Sequence, residues 1–142
     1  TKQYYHNSTG CFLVYDVTNR KSFEELSMWI YDVKEYGPKD IVLFLVGNKS
    51  DLEHQRVVSF EEADSLAKYY KIDYIETSAK TGMNVNFMFE LMCLAIVNKF
   101  EETIKGNYQD DKFNYTSISN HDIINISNNT NITNKSLHTP LS

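Results

Sequence analysis

Three short apolar runs separated by helical segments constrain this chain more than any other feature of its sequence. The first, Gly10 to Asp16 in GCFLVYDV, and the second, Ile41 to Gly47 in IVLFLVG, are nearly continuous in apolar residues. That pattern suits parallel strands covered on both faces. A third strand is expected through DYIETS. Between the first two, SFEE places Ser22 and Glu25 three apart as a capping box, so a helix is expected from Ser22. Phe23, Leu26, Ile30 and Val33 then recur at helical spacing, and Gly37 and Pro38 stop the helix. A second SFEE, Ser59 to Glu62, opens a helix whose Phe60, Ala63, Leu66, Ala67 and Tyr70 face inward. A last helix is expected from near Asn84 to around Lys105, with Val85, Phe87, Met88, Phe89, Leu91, Met92, Leu94, Ile96 and Val97 wrapping most of its circumference. The strand and helix order predicts an α/β fold, a parallel sheet with right-handed crossovers.

A chain of 142 residues is enough for one core. Hydrophobic residues at 42% with charged residues at 23% read as globular and soluble. The formal net charge of -5 leaves no basic footprint for nucleic acid and no steering toward anionic lipid. The apolar runs are of strand length, short of the roughly 20 residues of a membrane span, and no apolar signal segment opens the chain, so a cytoplasmic location is expected. Cys11 and Cys93 fall in separate apolar stretches and are expected as reduced core residues. His6, His54, His121 and His138 lack metal-ligand spacing. The expected organisation is a folded part over 1–105 and a disordered Asn, Ser, Thr and Ile-rich tail over 106–142. N-x-[ST] patterns at Asn114, Asn125, Asn128, Asn131 and Asn134 are read as products of that composition. Because the sequence starts at Thr1 with no structure signal of its own before the first strand, it is expected to begin inside a larger domain.

The stretch VGNKSDL ends the second strand with an amide, an ammonium and a carboxylate within four positions. In open parallel sheets ligands bind at the carboxyl ends of the strands, and ETSAK stands at the carboxyl end of the third. A carboxylate accepts two hydrogen bonds at once, so Asp51 can pair with the adjacent ring N–H and amino group of guanine, whereas adenine presents a lone pair there. Asn48 can donate or accept at the purine edge, or brace the neighbouring loop. Lys49 can lay its methylene stem over the ring while its ammonium stays wet. The backbone N–H of Ala79 is suited to a carbonyl oxygen, with Ser78 and Lys80 shaping the turn. Together these groups select guanine.

Read together, the paired Tyr4 and Tyr5, GCFLVYDVTNRKSF, Trp29, LVGNKSDL, EEADSLAKYY and ETSAKTGMNV resemble the C-terminal two thirds of a Rab-type small GTPase of the Ras superfamily, over about residues 4 to 104. The resemblance implies the last three strands of a six-stranded sheet flanked by helices. It also implies that Asn48, Lys49, Asp51, Ser78, Ala79 and Lys80 contact the base of GTP or GDP, with effectors and exchange factors as partners of the complete protein. Mg2+ is expected for that protein, with no ligand to it in this chain. No G-x-x-x-x-G-K-[ST] loop occurs in the 142 residues, nor do the family's first switch and its Asp-x-x-Gly segment, so no residue here is assigned to catalysis or to metal. TPLS at the C-terminus lacks the cysteine that Rab proteins prenylate, so no direct membrane anchor is expected. The expected function is therefore guanine-nucleotide binding in a vesicle-traffic switch, carried by a chain without the phosphate-binding half. The alternative is a non-catalytic, shortened interaction module. The first strand is expected to present an unpaired edge, leaving the isolated chain prone to aggregation or only partly folded.

Overall fold

The computed structural model describes residues 4–107. The tail from residue 108 onward, with its N-x-[ST] patterns and C-terminal residues, lies outside them. Three parallel strands, β1 (Gly10–Asp16), β2 (Val42–Asn48) and β3 (Asp73–Glu76), form a sheet in the order β1-β2-β3. The helices α1 (Arg20–Glu24) and α2 (Leu26–Tyr36) connect β1 to β2, and α3 (Phe60–Tyr70) connects β2 to β3. The helix α4 (Val85–Asn107) follows β3. The described residues divide into a unit through Val97 and the helical residues 98–107 of a second unit, in which Thr103 Oγ1 donates to the Lys99 carbonyl. The helix ends at Asn107, where its end was expected around Lys105.

Alternation along β1 sorts side chains onto two faces. Leu13 and Tyr15 join Leu43 and Leu45 of β2 in a core closed by Phe23, Leu26, Ile30, Val33, Val58, Ala63 and Ala67. The buried residues of α2, Leu26, Ile30 and Val33, are those the helical spacing selects. On the other face Phe12 meets Phe44 edge-on at 6.1 Å and Phe89 of α4 at 5.4 Å. Such pairs prefer edge contacts because a positive ring edge meets a negative face.

Three expectations are corrected. The first helix starts at Arg20 because Asn19, in extended backbone, accepts the Ser22 N–H on its side chain. Ser22 is therefore one turn inside the helix. Its hydroxyl donates to the Asn19 carbonyl and accepts from the Asp16 N–H, so it ties the helix to the end of β1. The segment is also two helices, divided at Glu25. Cys93 is exposed on α4 and is no core residue. Of the apolar residues that wrap α4, Met92 is buried, while Phe89 and Val97 are more than half exposed. By contrast, Ser59 caps α3 as read, accepting the Glu62 N–H on its hydroxyl. Gly37 ends α2 in extended backbone, the conformation that Pro38 imposes on the residue before it.

Tyr15 is 2% exposed at the centre of this core, and burial pushes its phenol up to about 12. The raised value means that the folded chain holds this proton more tightly than the unfolded chain. The associated stabilisation is complete below pH 10.0 and is lost as pH rises through about 12. Urea midpoints followed by circular dichroism should fall across that window, and Tyr15→Phe should flatten the fall; an equal slope in both proteins would contradict the assignment.

Candidate nucleotide-base site

β2 and β3 pair in parallel, with Gly47 opposite Glu76. The residues that follow, Asn48 to Asp51 and Thr77 to Lys80, therefore leave the sheet side by side. Backbone bonds join the two loops: Thr77 N–H donates to the Gly47 carbonyl at 2.8 Å, and Ser50 N–H and Oγ donate to the Thr77 carbonyl at 3.1 and 2.9 Å. This spacing leaves little freedom for the side chains above it.

Asn48 Oδ1 accepts from the Ala79 N–H at 3.0 Å and from Thr77 Oγ1 at 3.3 Å. With its oxygen so engaged, the Asn48 amide still carries two N–H donors, of the kind that a purine ring nitrogen or carbonyl accepts. The bracing role weighed for Asn48 is thus the one the geometry displays, and its partner is the same Ala79 N–H expected to meet a base carbonyl. Ser78, fully buried, donates its hydroxyl to Asp51 Oδ1 at 2.6 Å and accepts the Thr81 N–H at 3.1 Å. Each carboxylate oxygen has two lone pairs, so Asp51 keeps acceptor capacity on both oxygens while Ser78 fixes its rotation. Lys80 is exposed at the turn.

Lys49 takes a left-handed backbone conformation, φ 65°, which costs a residue with a Cβ roughly 1 kcal/mol. Its ammonium lies 2.5 Å from Asp16 Oδ2 at the end of β1. Asp16 in turn accepts from Thr18 N–H at 2.8 Å and Thr18 Oγ1 at 2.7 Å. Partial burial pushes its carboxyl up, but the Lys49 ammonium and the Thr18 bonds outweigh this and hold it below the ordinary 3.8. Asp16, the last residue of β1, therefore anchors the Lys49 stem beside the two loops.

Sequence reasoning missed the support below the loops. Glu76, 8% exposed, accepts from Arg56 Nη1 and Nη2 at 2.8 Å each and from the Tyr74 hydroxyl at 2.7 Å. Paired this way, the Arg56 guanidinium is held well above its ordinary value, by the Glu76 bonds first and by Glu53 as well. Asn84, also left-handed at φ 59°, donates its side-chain amide to the Glu76 carbonyl at 2.8 Å, which joins the start of α4 to the end of β3. The one sequence signal for the pair was Glu76, opening ETSAK directly after Ile75 in β3, since a buried carboxylate requires a cation.

Asp51 on the Ser78 hydroxyl, Asn48 on the Ala79 N–H and Lys49 on Asp16 thus stand together where the loops after β2 and β3 meet. Among the described residues no group of three or more His, Cys, Asp or Glu could hold a metal ion. No described helix is long and apolar enough to cross a membrane.

The three parallel strands with their flanking helices are those of a Ras-like small-GTPase fold. The Ras family model matches residues 1–98, and the chain belongs to the Ras family. It is of Rab type: it is 42% identical over 112 residues to the human Ras-related protein Rab-37, covering 79% of this chain and 48% of that protein. It is likewise 42% identical over 106 residues to the Caenorhabditis elegans Ras-related protein rab-39, covering 72% and 46%, and 45% identical over 89 residues to human Rab-26, covering 63% and 35%. The chain spans half or less of the length of these relatives.

The depressed Asp16 carboxyl makes a pH-dependent contribution. Its stabilisation is present above pH 3.8 and is lost as pH falls through its lower folded value. In an NMR titration the Thr18 amide should report a midpoint below the ordinary carboxylate range, and Lys49→Ala should move that midpoint upward; an unmoved midpoint would show that the ion pair is not the cause.

Proposed function

We propose that this chain supplies guanine recognition to a Rab-type nucleotide switch of vesicle traffic in the cytoplasm, working with effectors and exchange factors, and that it is the base-reading portion of that protein. The observation that carries the reading is the Ser78 hydroxyl on Asp51 Oδ1 at 2.6 Å, which links the two loops and fixes the rotation of the carboxylate. In this reading Asp51 accepts the ring N–H and the amino group of guanine, Asn48 donates to the purine edge, and Lys49 covers one ring face from its anchor on Asp16. The Ala79 N–H, with Lys80 beside it, is shared between Asn48 and the guanine carbonyl. GTP or GDP supplies the phosphates, whose transfer involves no residue assigned here.

Base contacts alone make a weak site. Two hydrogen bonds to a charged carboxylate contribute about 1.5 to 3 kcal/mol each, while association costs about 4 to 15 kcal/mol before any contact counts. Binding by these 142 residues should therefore need high ligand concentrations, and NMR titration suits it.

GDP should shift the Ser50, Asp51 and Ala79 amides in a saturable way while ADP leaves them in place. Asp51→Asn should remove this preference, because an amide oxygen can accept but its N–H2 repels the guanine donors. Equal responses to GDP and ADP in the unsubstituted chain would sink the guanine assignment.

A further inference from the structure

Below the base loops, a polar chain that touches no ligand position crosses the sheet. Tyr15 of β1, Gly47 of β2 and Glu76 of β3 stand in one register row, Tyr15 opposite Gly47 and Gly47 opposite Glu76. The Tyr15 and Tyr74 hydroxyls are 2.7 Å apart, and the Tyr74 hydroxyl donates to Glu76 Oε1 at 2.7 Å. Tyr74 has one hydroxyl proton and spends it on Glu76, so Tyr15 is the donor in the tyrosine pair. Both Glu76 oxygens also receive Arg56, whose Nη1 donates in addition to the Val58 carbonyl at 3.1 Å. The two hydroxyls meet over Gly47. A Cβ there would lie 2.9 Å from the Tyr15 hydroxyl, nearer than real Cβ atoms come, and 3.0 Å from that of Tyr74, tighter than most real Cβ contacts.

Gly47 immediately precedes Asn48, and Glu76 immediately precedes Thr77, Ser78 and Ala79. The polar chain therefore ties together the last residues before both recognition loops. Phenylalanine at either tyrosine would fill the same apolar volume. The hydroxyls add a directional link to a buried carboxylate, and bonds to ionised acceptors are the stronger kind. We propose that Tyr15 and Tyr74 are positioning residues of the base site, acting through Glu76 to hold the two loops at the separation where Ser78 meets Asp51 and Ala79 meets Asn48. Burial pushes both phenols well above their ordinary value, so the link persists throughout the neutral range. The inference rests on the base-site reading for its functional meaning, but its geometry can be tested without nucleotide.

Tyr74→Phe keeps the ring against Phe60 and deletes one hydroxyl. Amide hydrogen exchange on the 142-residue chain should show the Ala79 N–H exchanging about tenfold faster in the variant, the effect of losing one bond to a charged group. Leu45 and Val46, in the centre of β2, should change far less. Acceleration of all three amides alike would mean that the hydroxyl serves only global stability, and would overturn the proposal, as would no change at Ala79. Tyr15→Phe leaves the Tyr74 bond to Glu76 in place, so it should give the same pattern at smaller amplitude, and it decides the matter if Tyr74→Phe does not fold. The second readout is the ratio of GDP to IDP binding, because IDP lacks the amino group that Asp51 would accept. A positioning role lowers that ratio in Tyr74→Phe, whereas a stability role lowers both affinities alike. If the unsubstituted chain fails to distinguish GDP from ADP, the base-site reading fails, and the exchange pattern still decides whether the polar chain positions the loops.

Discussion

The parallel pairing of β2 with both of its neighbours is the constraint on which everything else in the described residues depends. Because the strands run in the same direction and their last residues share a row, three loops leave the sheet at one edge. Tyr15 and Asp16, Gly47 and Asn48, and Glu76 and Thr77 are brought within hydrogen-bond reach although they lie about 30 residues apart in the chain. An antiparallel arrangement would have sent alternate loops to opposite ends. Asp16 then could not hold Lys49, nor could Asn48 accept the Ala79 N–H.

On that edge the polar groups are layered. The upper layer, Asn48, Asp51, Ser78 and Lys49, has donors and acceptors left over after its internal bonds are counted. The lower layer, Tyr15, Tyr74, Glu76 and Arg56, is more fully engaged internally, and no described buried side-chain nitrogen or oxygen lacks a partner. This division has a physical basis. A buried carboxylate such as Glu76 is tolerated only when paired and hydrogen-bonded, and the same bonds make it a rigid support. A carboxylate at the rim such as Asp51 can keep unused lone pairs because solvent or a ligand can reach them.

Most of the fold was legible from residue spacing. The continuous apolar runs marked β1 and β2 within one residue of their bounds, and Ser59 was recognised as the cap of α3, because these signals depend on neighbours along the chain. Spacing failed where a tertiary partner competed with a local one. Ser22 has the residue pattern of a cap, yet Asn19 takes that role, and the Ser22 hydroxyl is drawn to the backbone of Asp16 at the end of β1. Cys93 sits in an apolar stretch, but a helix that is apolar around most of its circumference must leave part of itself uncovered when it packs on one side.

The candidate site divides in the same way. Sequence by itself determined the chemistry: a carboxylate, an amide and a lysine at one strand end, and a Ser-Ala-Lys turn at the next, since residue type and strand order decide which groups reach the ligand edge. Only the tertiary structure decided how those groups are aimed. That Asn48 faces Ala79 with its oxygen, that Ser78 fixes Asp51, that Asp16 anchors Lys49, and that Arg56 and Tyr74 meet on Glu76 all depend on contacts between segments far apart in the chain. Such contacts leave no periodic trace in a sequence, because their geometry is set by strand register and side-chain direction, which exist only once the sheet has formed.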